Sequence, residues 1–242
     1  MGRLTGKVAI VTGGSRGIGK AIARGLAAEG AKTVIAARGV EKLNQTAREI
    51  EKLGATVVPV ATDVTDETQV TALFARTMDL FHRLDILVNN AGAFDGGPID
   101  ELSVETWDKV MAANLRGPFL CTRAAMRIMK SQGGGRILNI GSIAAQRPRP
   151  KSAAYSTSKY GIWGLTNVTA LEGREFGISA CCLHPGNVPL EDASAQALRA
   201  HEPMMAAEEL AEVAVLMASQ PAHINMLEAI VLPVGQTYIG RG

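Results

Sequence analysis

Short β-rich apolar runs alternate with longer stretches of helical spacing from one end of the chain to the other. A parallel sheet needs that alternation, because each strand must be followed by a crossover that covers one of its faces. The runs predict seven strands, at residues 8–12, 33–37, 57–61, 86–89, 136–140, 178–183 and 229–232. Residues 18–29, 41–53 and 70–81 carry apolar side chains at helical spacing; in the last, Val70, Leu73, Phe74 and Thr77 form an i, i+3, i+4, i+7 stripe expected to face the core. No repeat, low-complexity tract or polar linker divides the chain, so residues 1–242 are expected to form a single doubly wound α/β domain with a seven-stranded parallel sheet flanked by helices. The longest weakly patterned stretch, within about 186–205, follows a late strand and reads as a substrate loop over the carboxyl ends of the strands, where open parallel sheets bind ligands.

Composition narrows the class without naming a partner. Hydrophobic residues make up 47% of 242 and charged residues 20%, which excludes disorder, collagen and coiled coil. Lys and Arg number 25 against 23 Asp and Glu, so net charge makes no case for nucleic acid or membrane. Three cysteines, with Cys181 and Cys182 adjacent in an apolar run, form neither a disulfide framework nor a metal site and suit a reducing compartment. His184 and His201 have no metal-ligand partner at usable spacing and read as structural or loop residues, so no metal is expected. No apolar stretch reaches spanning length and the first residues carry no signal-peptide hydrophobic region, so the expected location is the cytoplasm.

The first strand leads directly into Thr12-Gly13-Gly14-Ser15-Arg16-Gly17-Ile18-Gly19 and then a helix. A turn without side chains lets the backbone approach a pyrophosphate, and the helix start offers N–H groups carrying partial positive charge. A Gly-rich string placed between strand and helix is the context that marks a dinucleotide-binding, Rossmann-type fold. The second strand ends Ala36-Ala37-Arg38 with no carboxylate, the first being Glu41. Arg16 and Arg38 are therefore expected to grip a 2′-phosphate, which favours NADP over NAD.

Tyr155 and Lys159 are four residues apart; if helical they share a face, with an ammonium beside a phenol. A free tyrosine ionises near pH ~10, too high for proton exchange at neutrality, and a unit charge ~4 Å away is worth roughly 4 kcal/mol at an effective dielectric of about 20. Tyr160 adjoins Lys159 but would diverge by about 100° around the helix. Ser142 follows the strand at 136–140, on the edge where the cofactor should sit, with a hydroxyl able to hold a carbonyl oxygen.

With these residues the chain resembles the short-chain dehydrogenase/reductases, up to about Pro185. The resemblance rests on the Gly-rich turn, Asp63-Val64, Asn89-Asn90-Ala91-Gly92, Asn114, Ser142, Tyr155 with Lys159, and Pro185-Gly186. It implies that Tyr155 is the general acid/base, that Lys159 lowers its pKa and binds the nicotinamide ribose, that Ser142 orients the substrate, and that Asn114 positions a water in a proton relay. It implies cofactor contacts from Gly13, Ser15, Arg16, Gly17, Ile18, Gly19, Arg38, Asp63, Val64, Asn90, Ala91, Gly92, Tyr155, Lys159, Pro185, Gly186 and Val188, with Asp63 and Val64 at the adenine. By the same resemblance the chain is a homo-oligomer, commonly a tetramer, built through its long helices, which residues 107–130 and 152–176 look like.

Two departures bear on function. The family commonly places Thr four residues beyond the Gly of Pro185-Gly186, and Leu190 stands there, after Pro189. The ending Asn225 to Val234 lacks the Val-Asp-Gly-Gly of 3-oxoacyl carrier-protein reductases and looks more like hydroxy-acid dehydrogenases. The expected activity is NADPH-dependent hydride transfer between the nicotinamide and a small carbonyl or secondary alcohol substrate. The alternatives are 3-oxoacyl thioester reduction and, in another class, a non-catalytic NADP-binding regulator. Arg147, Arg149 and Lys151 would suit an anionic substrate, but the favoured reading is the plainer one, a solvated loop stiffened by Pro148 and Pro150.

Overall fold

The computed structural model describes residues 2–189 and 202–237. Among these lie seven strands: β1 (Val8–Thr12), β2 (Lys32–Ala37), β3 (Val57–Ala61), β4 (Ile86–Asn89), β5 (Gly135–Ile140), β6 (Ile178–Pro185) and β7 (Glu228–Val231). They form one parallel sheet in the order β3-β2-β1-β4-β5-β6-β7. The expected strands are all present. β6 runs two residues further than its apolar pattern, through His184 and Pro185, because both continue the ladder beside β7.

The α-helices are α1 (Gly17–Ala28), α2 (Val40–Glu51), α3 (Glu67–Phe81), α4 (Val104–Met111), α5 (Gly117–Gln132), α6 (Ala153–Gly173) and α7 (Ala207–Ala218). Along β1, Ala9 and Val11 join a core layer with Ile22 and Leu26 of α1 and Leu210 of α7, whereas Ile10 joins Leu73 and Phe74 of α3 and Met129 of α5 on the other face. Val70, Leu73, Phe74 and Thr77 are buried as the stripe requires, and Asp66 caps α3 by accepting from the N–H groups of Thr68 and Gln69.

The long helix expected over 107–130 is interrupted. Between α4 and α5, residues Ala112–Arg116 form one π-helical turn. Gly117-Pro118 supplies the reason: proline has no N–H to return to the carbonyl four residues back, that of Asn114. Gly117 also packs against Val64, where a Cβ would stand 2.8 Å from Val64 Cγ2. The stretch expected at 152–176 is α6 followed by a 3₁₀ turn at Arg174–Phe176.

Since β1 and β4 are neighbours and the chain leaves them toward opposite edges, the topological switch point lies between their carboxyl ends. The opposite edge is closed: Asp85 accepts from Val8 N (2.9 Å), Arg83 and Lys7 there.

Candidate active site

The switch point is laced by two side chains. Thr12, ending β1, accepts at Oγ1 from the N–H groups of Asn90 (3.0 Å) and Ala91 (3.1 Å). Asn90 Nδ2 donates to the carbonyls of Thr12 (3.0 Å) and Gly13 (3.2 Å). That closeness explains two glycines: a Cβ on Gly13, whose φ is +65°, would lie 2.7 Å from Asn90 Nδ2, and one on Gly19 would lie 2.3 Å from Gly13 O. Gly17 differs, for its φ is +50° and a Cβ there would meet no protein atom within 4 Å, only the cleft. Arg16, the residue capping α1, offers no side-chain acceptor to the first turn. The cradle therefore has the space and the N–H groups to take a pyrophosphate.

At the end of β2 the Arg38 side chain is 81% exposed, with its guanidinium 4.0 Å from Asp63 Oδ2. Asp63 Oδ1 accepts from Thr65 N (2.9 Å) and Thr65 Oγ1 (2.8 Å), so this carboxylate is held by its own loop. Arg16 lies across the same pocket, and Lys42, on the first turn of α2, adds a third cation to the lining. Lys42 was legible only as a cation one helical turn after Arg38.

The other end of the cleft is built on α6. Lys159 Nζ stands 5.6 Å from the centroid of the Tyr155 ring and donates to Ile140 O at 2.8 Å, so one buried ammonium joins the tyrosine to the end of β5. Phe94 meets the Tyr155 ring edge-on, centroids 5.0 Å apart. Tyr160 is about half exposed and does not line the cleft. Ser142 caps the short turn Ile143–Ala145, its Oγ accepting from Ala144 N at 3.1 Å, which leaves the hydroxyl proton for a ligand oxygen. Asn114 lies inside the π turn and is 1% exposed. Its Oδ1 accepts from Ala93 N (2.6 Å), and its Nδ2 donates to Ala93 O (2.9 Å) and Ser158 Oγ (3.1 Å). Its amide thus ties the loop after β4 to α6.

Every residue singled out from the sequence for catalysis or cofactor binding lines this one cleft, of about 1340 Å³. The basic mouth is a partial correction. Arg149 donates to Glu202 Oε2 (2.6 Å) and to Asn187 Oδ1 (3.4 Å), and Asn187 Nδ2 donates to the same carboxylate (2.6 Å). Arg149 is therefore a neutralised clamp, while Arg147 and Lys151 are exposed on the same rim. Asn187 also donates its N–H to Gln236 Oε1 (2.8 Å), fastening the chain after β6 to the segment after β7. The clamp joins residues far apart in sequence, and residue spacing carried no sign of it. Leu190 and His201 lie outside the described residues.

Among the described residues, no group of three His, Cys, Asp or Glu is arranged to hold a metal ion, and no helix is long and apolar enough to cross a membrane. The thiols of Cys121, Cys181 and Cys182 are buried, and burial pushes each up to about 12.

The family model described as short chain dehydrogenase matches residues 7–201. The chain belongs to the short-chain dehydrogenase family. An uncharacterized oxidoreductase of Staphylococcus haemolyticus is 35% identical over 97% of this chain and 100% of its own length. A 3-oxoacyl-[acyl-carrier-protein] reductase of Synechocystis is 40% identical over 77% of this chain and 76% of its own. A metagenomic short-chain oxidoreductase, solved in complex with NADP, superposes with a TM-score of 0.85 at 35% identity, covering 96% of this chain and 99% of that one. This short-chain dehydrogenase thus shares its fold with the NADP-bound relative.

Proposed function

We infer that this short-chain dehydrogenase is an NADP(H)-dependent oxidoreductase acting on a carbonyl or secondary alcohol. The observation that carries the reading is the placing of Tyr155, Lys159 and Ser142 at one end of a cleft whose other end holds the glycine cradle and three cations. Bound NADPH supplies the hydride. The protein's residues do the rest. Ser142 donates a hydrogen bond to the substrate oxygen, Tyr155 delivers a proton to that oxygen in reduction and takes it back in oxidation, and Lys159 places positive charge beside the phenol oxygen as it loses its proton. Asn114 would hold a relay water through its backbone carbonyl, to which Pro118 offers no N–H, while its amide is engaged with Ala93 and Ser158.

Arg38, Arg16 and Lys42 support NADP over NAD, because a 2′-phosphate needs cations where NAD would need a carboxylate. The NADP complex of the structural relative agrees with this. Arg38→Asp is expected to lower kcat/KM for NADPH by about a hundredfold, the scale of a lost charge-assisted bond plus like-charge repulsion, and to raise the NADH/NADPH preference ratio. Steady-state rates with both cofactors check it, and an unchanged ratio would refute the role of Arg38.

A second reading, 3-oxoacyl thioester reduction, is favoured by the Synechocystis relative. The pairing of Arg149 with Glu202 weakens it by removing one cation from the mouth. Following NADPH absorbance with small ketones, keto acids, cyclic ketones and 3-oxoacyl thioesters separates the readings: turnover of thioesters alone supports the second, and no turnover of any carbonyl refutes both. Exposed Phe119, Val168 and Leu171 on α5 and α6 support assembly of the subunit into a homo-oligomer through those helices.

A further inference from the structure

His184 is fully buried in a position no part of the reaction above uses. It ends the apolar run of β6 and lies directly behind Ser142. Its Nδ1 is 3.3 Å from Ser142 N and 3.0 Å from Ser142 O. Gly141 makes the approach possible, since a Cβ there would stand 2.6 Å from that nitrogen. Trp163 of α6 packs edge-on against the ring, centroids 5.8 Å apart. The far nitrogen, Nε2, is 3.4 Å from Glu228 Oε1 on β7 yet makes no aligned hydrogen bond, an uncommon state for a buried polar atom. Glu228 in turn accepts from Gln146 Nε2, just beyond the Ser142 turn.

The two charge states of this ring need different partners. A neutral imidazole has one N–H and one lone pair. With a carboxylate beside Nε2 the proton belongs on Nε2, leaving Nδ1 to accept from Ser142 N–H. The imidazolium has two N–H groups, so Nδ1 can then only donate, and its acceptor is Ser142 O. We propose that His184, backed by Glu228, is a positioning residue that holds Ser142 by its N–H when neutral and by its carbonyl when protonated, so that acid withdraws the serine from its working position. Burial holds His184 below the ordinary histidine range; the Ser142 backbone and Glu228 oppose that, and Lys159 on α6 adds to it. From β6 the ring is also faced by Cys182, whose thiol stays neutral. The neutral form is thus the working one at neutrality.

The inference rests on the carbonyl-reduction reading, but part of its test does not. In the reduction direction Tyr155 must carry its proton, so acid gives that residue no reason to slow turnover. Two quantities are to be followed from pH 8 downward: kcat for NADPH-dependent carbonyl reduction, and the Ser142 amide resonance in protein labelled at serine nitrogen and glycine carbonyl. Both are expected to titrate with one midpoint. Glu228→Gln should move both midpoints to lower pH. His184→Asn, which cannot titrate, should abolish both, and it should restore much of the roughly tenfold loss of kcat expected in His184→Leu, the scale of one lost hydrogen bond. An amide that does not titrate, or one that still titrates in His184→Asn, overturns the proposal. If the wild type oxidises NADPH with no carbonyl at all, the functional reading has failed, and the amide titration in wild type, Glu228→Gln and His184→Asn alone decides the role of His184.

Discussion

Tyr155→Phe is expected to lower kcat by roughly 10²–10⁴-fold, the usual worth of a positioned proton donor, while the Kd for NADPH stays within about threefold. The ring itself is retained, so its edge contact with Phe94 and the shape of the cleft survive and only the hydroxyl is lost. Single-turnover kinetics with cofactor titration by fluorescence separate the two quantities. A variant that keeps more than about a tenth of wild-type kcat would remove Tyr155 from the proton-transfer role.

Lys159→Met should match that loss in kcat and differ from it in one respect. The ammonium sits at the foot of the cleft, between the tyrosine ring and the end of β5, and is the group expected to bind the nicotinamide ribose. Removing it therefore costs cofactor affinity as well, by about tenfold, the scale of one charged hydrogen bond. It also leaves Ile140 O without its partner, so a fall of about 1–3 kcal/mol in stability is expected from an unsatisfied buried carbonyl. Denaturant melts measure that term directly. If Lys159→Met loses turnover with unchanged NADPH affinity, the lysine acts on the tyrosine alone.

Much of this arrangement could be read from the chain because the relevant signals are local. A parallel strand buried on both faces shows as an unbroken apolar run, and the glycine turn, the Tyr155–Lys159 spacing and the bare Arg38 at a strand end each lie within a few neighbouring residues. What stayed hidden depends on contacts between distant segments. His184 offered no ligand partner at metal spacing, yet its partners are the backbone of Ser142 and the carboxylate of Glu228. Arg149 resembled a free surface cation because Glu202, which neutralises it, lies across the cleft. The break in the helix over 107–130 had a local sign in Gly117-Pro118, but apolar spacing alone does not register a single extra residue in a turn.

That extra residue is taken up inside a single wide turn. Asn114 reaches Ala93 and Ser158 from one side of the π turn, while its neighbour Leu115 fills the hollow over Gly161, where a Cβ would come within 2.8 Å of Leu115 Cδ2. Deleting one residue from 112–116 would close the turn into ordinary helix while the segments on either side kept nearly the same facing, so the loss would be local: the wide turn that carries Asn114 and Leu115 would be gone. The wide turn between Met111 and Gly117 is consequently a bracket for the pocket: shortening the chain there, or replacing Asn114, would cut the tie between the loop after β4 and α6.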